Sequence, residues 1–390
     1  MEASLYIHVP FCSPNPQSRG GKCDYCDFYS VPLNSSGALL DQYVKILLSE
    51  AEGFFKTLQL SRVPTVYVGG GTPSVLGPER VRQLLGAILG RIKLETGGVP
   101  EEVTLEANPE TAGEALLEAA REGGASRLSL GVQSFHGPSR RRAGRGGDEG
   151  LLDERLALGA RYFPQALSAD LISGFPGQDE EILARDIGAL LAHGPAHVSL
   201  YALSVDPASE LYGDPDRADQ IWLAGRDLLE KAGYRQYEIS NFCPPGNESL
   251  HNLRYWAMKS WFALGPSASG TLIHGQGALR YTIPADLETW LSRGPCALEG
   301  GPFLPHLEEL DRGALIKDSL LMGFRCLGGP DGELFNERFG TSIESLIPRT
   351  LGSWKDRLQK DRLALNREGL LFLNSFLVDV FGELEDTSLG

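Results

Sequence analysis

Six times between Leu5 and Lys231 a short run of β-branched and aromatic residues gives way to a longer stretch with apolar residues at threes and fours. Such alternation calls for parallel strands, because a strand returns parallel to its predecessor only through a connection long enough to hold a helix. Strands are expected at 5–10, 65–68, 102–107, 127–132, 167–172 and 197–202, and helices over 40–58, 78–94, 113–122, 150–160, 179–193 and 218–231. The first helix is the clearest: Leu40, Tyr43, Val44, Leu47, Ala51, Phe54, Phe55 and Leu58 share one face. Chemistry-bearing residues fall just after the strands throughout. That placement suits an α/β fold of the TIM type, a complete or partial β/α barrel of about six units with its site at the C-terminal ends of the strands. A doubly wound sheet is the other architecture with this spacing.

Composition narrows the functional class. A net charge of -15 opposes general nucleic-acid binding, which needs clustered Lys and Arg, and the one basic cluster runs from Arg140 to Arg145 in an acidic chain. No stretch reaches the roughly 20 apolar residues of a membrane helix, and Met1-Glu-Ala lacks the basic start of a signal peptide, so a cytoplasmic protein is expected. Three of the six cysteines, Cys12, Cys23 and Cys26, lie in one loop after the first strand, while Cys243, Cys296 and Cys326 stand singly. Three thiolates can hold an iron-sulfur cluster and leave the fourth iron of a cubane open. A structural zinc site is the alternative, but it needs a fourth N or S ligand, and only His8 is near.

Other post-strand residues add to the site. Gly69-Gly-Gly71 lets backbone approach a ligand with no Cβ in the way. Glu106, Gln133 and Asp170 close three strands, where they suit ribose hydroxyls or an ammonium group, or else cap the following helix.

The runs Tyr6-Ile-His-Val-Pro-Phe-Cys12, Lys22-Cys-Asp-Tyr-Cys-Asp-Phe28, Tyr67-Val-Gly-Gly-Gly-Thr-Pro-Ser74, Glu106-Ala-Asn-Pro109, Gly131-Val-Gln-Ser-Phe135, Asp170-Leu-Ile-Ser-Gly-Phe-Pro-Gly-Gln178 and His251-Asn-Leu-Arg-Tyr-Trp256 together resemble one family. It is that of the radical S-adenosylmethionine proteins related to oxygen-independent coproporphyrinogen III oxidase, and the likeness is greatest to its haem-chaperone branch. The resemblance implies a [4Fe-4S] cluster on Cys12, Cys23 and Cys26, with the amine and carboxylate of S-adenosylmethionine on the open iron. It implies reductive cleavage of the sulfonium bond to a 5'-deoxyadenosyl radical, with the electron delivered by a donor such as a flavodoxin or ferredoxin. Matched motif by motif, Tyr6, Gly70, Gly71, Thr72, Glu106, Gln133, Arg145 and Asp170 would contact S-adenosylmethionine, and Tyr25 would lie by the adenine. His251, with Tyr255 and Trp256 beside it, would be the haem site, and the partners would be haem and a recipient haemoprotein.

Two departures matter. The family places three residues between its first two cysteines, whereas Ser13 to Lys22 intervene here; this Pro-, Gly-, Asn- and Ser-rich insertion is expected to bulge outward with the cluster retained. The decarboxylating oxidases carry a further cysteine two positions after the third ligand, where this chain has Phe28, and an N-terminal extension where this chain meets its first strand almost at once. Both differences favour the chaperone over an oxidase that decarboxylates coproporphyrinogen. A zinc-organised interaction protein is the alternative from another class.

The chain is expected to divide into a barrel at 1–235, an extension and linker at 236–306 that carries the histidine motif, and a smaller α+β domain at 307–390. In the last, helices are expected at 314–324 and 343–358. A hairpin turning at Arg367-Glu-Gly and a closing helix at 375–381 would complete a winged-helix-like unit. Its acidic setting suits a cap or partner-docking role better than DNA.

Overall fold

The computed structural model describes residues 1–14, 21–33, 37–298 and 304–386. Strand β1 (Ser4–Val9) leads into a short strand β2 (Phe11–Cys12), the cysteine loop and its return strand β3 (Val31–Pro32), and then helix α1 (Gly37–Leu58). Five more strand-helix units follow. They are β4 (Thr65–Gly70) with α2 (Pro78–Thr96), β5 (Glu102–Ala107) with α3 (Glu114–Glu122), and β6 (Arg127–Gln133) with α4 (Gly137–Arg142) and α5 (Glu149–Tyr162). The last two are β7 (Leu167–Ser173) with α6 (Glu180–Leu191) and β8 (His197–Ala202) with α7 (Pro215–Lys231). Local chemistry sets the boundaries. Pro78 opens α2 and Gly97 ends it in the left-handed region, while Asp148 and Asp179 accept the Leu151 and Ile182 amides to cap α5 and α6.

The six parallel strands neighbour one another in chain order, β1-β4-β5-β6-β7-β8. A doubly wound sheet reverses direction at a switch point, so this order selects the barrel. The barrel is partial: β11 (Trp261–Leu264) pairs parallel to β1 at one side and β10 (Asn241–Cys243) antiparallel to β8 at the other. The described sheet has twelve strands and runs on through β9 (Arg235–Gln236) beyond β10, and through β12 (Ser269–His274), β13 (Gly277–Thr282) and β14 (His306–Leu310) beyond β11.

Each barrel strand alternates. In β1, Leu5, Ile7 and Val9 enter the main apolar core with the buried face of α1, and Ser4, Tyr6 and His8 face the other way. The register keeps the second face polar across the sheet, pairing Tyr6 with Tyr67, Glu106 with Ser129, Gly131 with Asp170, and Asp170 with Ser199. A closed eight-stranded barrel fills its interior with branched apolar side chains. This interior is lined with polar side chains instead.

The stretch expected to be a linker is largely structured. Helix α8 (Leu250–Trp256) carries the histidine motif, α9 (Leu287–Arg293) follows the β12–β13 hairpin, and that hairpin turns through Gly275, whose φ is 56°. Gly275 and Gln276, which look like linker, are a tight two-residue hairpin loop. Residues 299–303, which include all of the Gly300-Gly-Pro-Phe303 segment, lie outside the described residues.

A second apolar cluster gathers α10 (Arg312–Gly323), α11 (Gly332–Phe339), α12 (Ile343–Leu346), α13 (Pro348–Ser353) and α14 (Leu373–Asp386). The expected helix over 343–358 is broken because Pro348 holds Ile347 at φ -130° and ψ 44°. The expected hairpin, and with it the wing, is absent among the described residues. Asn366 Oδ1 instead accepts the Glu368 and Gly369 amides, starting a 3₁₀ turn at Gly369–Phe372 that runs into α14. Leu370 and Leu373 are buried and Leu371 and Phe372 exposed, a period of three that the unbroken apolar run conceals.

Glu50 of α1 ties the far side of the barrel together. Fully buried, it accepts the Gly265 amide at 2.6 Å, the Trp290 indole at 2.8 Å and the Cys296 amide at 2.8 Å. Burial pushes its carboxyl up to about 7, and the three donors only partly offset this. The folded chain thus keeps a proton that the unfolded chain loses, so Glu50 contributes less stability as pH rises from the usual carboxylate range to about 7. Glu50→Gln turns an NH₂ toward at least one of these donors. Urea unfolding at pH 7 should show a loss of about 1–3 kcal/mol, with a flatter dependence of stability on pH below 7.

Candidate cofactor-binding site

The cysteine loop is closed at its base by backbone bonds. Val31 N–H donates to Pro10 O and Leu33 N–H to Cys12 O, both at 2.9 Å, which forms the parallel β2–β3 pair. The end of β4 is stitched to the same segment, Gly71 N–H to Val9 O at 2.9 Å and Thr72 N–H to Phe11 O at 2.7 Å. His8 adds a side-chain anchor at 2.8 Å between Nε2 and Tyr29 O. A carbonyl only accepts, so Nε2 bears the proton and Nδ1 accepts the Tyr6 phenol at 3.1 Å. Asn15 to Gly20, the middle of the insertion, lie outside the described residues, so its expected bulge is not seen.

Cys12, Cys23 and Cys26 are free thiols lining one cavity of about 740 Å³ at the strand ends. Two already have donors. Thr72 Oγ1 lies 3.7 Å from Cys12 Sγ, and Arg145 Nη1 lies 3.6 Å from Cys23 Sγ. Among the described residues no three His, Cys, Asp or Glu side chains gather as a single metal ion would require.

Gly70, Gly71, Thr72, Glu106, Gln133, Arg145, Asp170 and Tyr25 line the same cavity. Gly70 has φ 107°, and a Cβ there would meet the His8 ring at 2.7 Å; at Gly71 it would meet the Phe11 carbonyl at 2.5 Å. Glycine is therefore required where the loop crosses the strand end. Tyr25 packs edge-on to Phe175, their ring centroids 5.9 Å apart.

Glu106 accepts the Tyr67 phenol at 2.6 Å and the Gly70 amide at 3.2 Å, and burial still raises its carboxyl to about 7. Asp170 is raised to about 6 by burial, with Ser199 and Ser129 donating to it. A bulge between Gly131 and Gln133 re-aims Gln133, whose φ is 70°, a strained left-handed conformation in which its Cβ crowds the backbone. Its Oε1, the Arg145 Nε and the Asn108 Oδ1 are buried without partners. A cavity with unpaired thiols, paired carboxylates and unpartnered amide and guanidinium atoms fits a polar, cationic ligand beside a metal cluster.

Two expected residues lie elsewhere. Tyr6 sits below the mouth, its ring 6.2 Å from that of Tyr67, and does not line the cavity. His251, 1% exposed, is on α8 near the start of β4, with Nδ1 2.8 Å from Thr65 Oγ1 and its ring 5.0 Å from Tyr67. The cavity also takes in Asn108, Ser129 and Tyr201. Asn108 stands in a quoted motif, and Ser129 and Tyr201 follow from the two-residue period of β6 and β8 once the inward face is known.

A family model described as the radical SAM superfamily matches residues 6–188. The mitochondrial radical S-adenosyl methionine domain-containing protein 1 of Bos taurus is 34% identical, over 98% of this chain and 88% of its own. The heme chaperone HemW of Escherichia coli is 31% identical over 96% of this chain and 97% of its own, and that of Lactococcus lactis is 30% identical over 88% and 86%. Among solved structures, Escherichia coli coproporphyrinogen III oxidase (HemN), a radical SAM enzyme, superposes with a TM-score of 0.78 over 97% of this chain and 89% of that one. At 19% identity that likeness is one of fold. With its strand order, its three-cysteine cavity and relatives that match almost end to end, the chain belongs to the radical S-adenosylmethionine family, in the group that includes HemW.

Proposed function

We propose that this chain is a haem chaperone of the radical S-adenosylmethionine type, which takes up haem and passes it to a recipient haemoprotein. Cys12, Cys23 and Cys26 would hold a [4Fe-4S] cluster, with S-adenosylmethionine bound by the residues around them. The observation that carries this reading is the convergence of three unpaired thiols with Glu106, Asp170, Gln133 and Arg145 on one cavity. When bound, the cluster supplies an electron to the sulfonium group, and a small electron-transfer protein such as a flavodoxin or ferredoxin would replenish it. The chain's own part is positional. The glycine turn admits the ligand, Glu106 and Asp170 offer carboxylates to cationic and hydroxyl groups, and Arg145 offers a guanidinium to a carboxylate.

Haem as cargo rests on the relatives named heme chaperone and on the state of His251. Burial lowers its imidazole to about 3, so the ring is neutral. Thr65 donates to Ser4, so His251 Nδ1 donates to Thr65 and Nε2 keeps a free lone pair. In that tautomer Nε2 can bind a metal. The ring is enclosed against Tyr67 and Tyr255, so ligation requires α8 to lift from β4. No described helix is long and apolar enough to cross a membrane. Residence in the cytoplasm belongs to the proposal, some relatives being named mitochondrial.

Anaerobic reconstitution with iron and sulfide tests the cluster. Alanine at Cys12, Cys23 or Cys26 should abolish the visible absorbance and bound iron, and serine at Cys243, Cys296 or Cys326 should spare both. A colourless wild-type protein that retains zinc would overturn the reading. Haem titration tests the cargo: a sharpened Soret band should appear in the wild type and weaken at least tenfold in affinity in His251→Gln. Unchanged haem binding in that variant would remove His251 as a ligand, and conversion of coproporphyrinogen III to a vinyl-bearing product would point to the oxidase instead.

A further inference from the structure

We infer that Tyr67 and His251 form a buried support for the Glu106 carboxylate, so that helix α8 at the floor of the barrel sets binding at its mouth. Tyr67 is the contact between the two levels. Its hydroxyl is 2.6 Å from Glu106 Oε1, while the second carboxylate oxygen takes the Gly70 amide at 3.2 Å. The Tyr67 ring packs against Tyr6 at 6.2 Å and against His251 at 5.0 Å. His251 is itself fixed, by Thr65 at 2.8 Å and by the Tyr255 ring at 4.6 Å.

Helix α8 is held in turn from the floor. Ser249 caps it, and Glu102 accepts the Leu250 amide at 3.1 Å and the His251 amide at 3.0 Å. Glu102 starts the same strand that Glu106 ends. One strand therefore bears the clamp on α8 at one end and the cavity carboxylate at the other, with His251 and Tyr67 bridging the distance. A phenol held on its faces gives a hydrogen bond that needs no reorganisation when a ligand arrives, which is the advantage of a preorganised site.

The groups facing Glu106 are Tyr67 and the Gly70 amide from β4, Asp170 from β7, Tyr6 from β1 and Tyr201 from β8. Tyr67 and Gly70 favour the carboxylate, whereas burial and Asp170 oppose it. Removing the phenol moves the carboxyl further up, and the anion then forms only at higher pH.

The inference rests on the reading that the Glu106 carboxylate accepts a hydrogen bond from the amine of S-adenosylmethionine. Calorimetric titration of anaerobically reconstituted, haem-free protein with S-adenosylmethionine from pH 6 to 8.5 tests it, with bound iron and melting temperature measured alongside. Tyr67→Phe should bind about tenfold more weakly at pH 7, and the pH at which affinity is half its maximum should rise by about one unit. His251→Leu should move that pH in the same direction by less, and His251→Gln, whose amide can still meet Thr65, should recover part of the shift. Deprotonation of the ligand's own amine is common to all variants and cancels in the comparison. Tyr67→Phe with the wild-type midpoint and affinity overturns the inference and leaves the Glu106 reading standing. A wild-type profile without a midpoint removes the Glu106 reading and this inference with it. A loss of melting temperature with no change in midpoint assigns both residues to stability alone and also overturns it.

Discussion

The pairing of Phe11–Cys12 with Val31–Pro32 is the constraint on which the site depends. It converts a long excursion of the chain into a loop whose two ends are neighbours, and both ends sit at the C-terminal edge of the parallel sheet. Closing such a loop costs only about 0.6 kcal/mol per doubling of its length. The stitching of Gly71 and Thr72 to the same segment places the glycine turn against the cysteines. Two successive strand ends, β1 and β4, thereby act as one rigid rim.

Around that rim the chain accepts costs that a core would not. Glu106 and Asp170 are buried with donors but without a cation in contact, and Gln133 is held at a left-handed φ by a bulge. Arrangements of this kind persist where a ligand completes them. The stability that offsets them comes from the opposite face of the same strands, where Leu5, Ile7, Val9, Val66, Val68 and Leu105 pack under the helices. A two-residue period thus divides each strand between holding the fold and holding the ligand.

Much of this was legible in the sequence. The six strand-helix units stand out because their apolar periods are long and change cleanly, and strands at 102–107 and 197–202 match the observed bounds. Of the eleven named residues that line the cavity, the cysteines, glycines and strand-end Glu106, Gln133 and Asp170 stand out by type and place, whereas Tyr25, Thr72 and Arg145 came only from the family resemblance. Depth along a strand does not. Tyr6 and His251 belong to recognisable motifs yet lie away from the cavity, because position in a motif carries no height above the barrel floor. Short pieces were least legible: β12 and β13 hide behind glycines, and the 370–373 run reads as a strand until its neighbours choose the three-residue period. Ser129 and Tyr201 escaped for a different reason, since only register identifies the inward face.

Along the chain, the ten residues between Cys12 and Cys23 fall between the two pinned segments, and the pins are backbone atoms. Peptide groups are common to every side chain, so the anchorage is blind to which residues the excursion contains. The spacing of Cys12 and Cys23 is therefore a poor guide to whether the base of such a loop forms. A search that demands a fixed count there would pass over chains whose pinned base is intact.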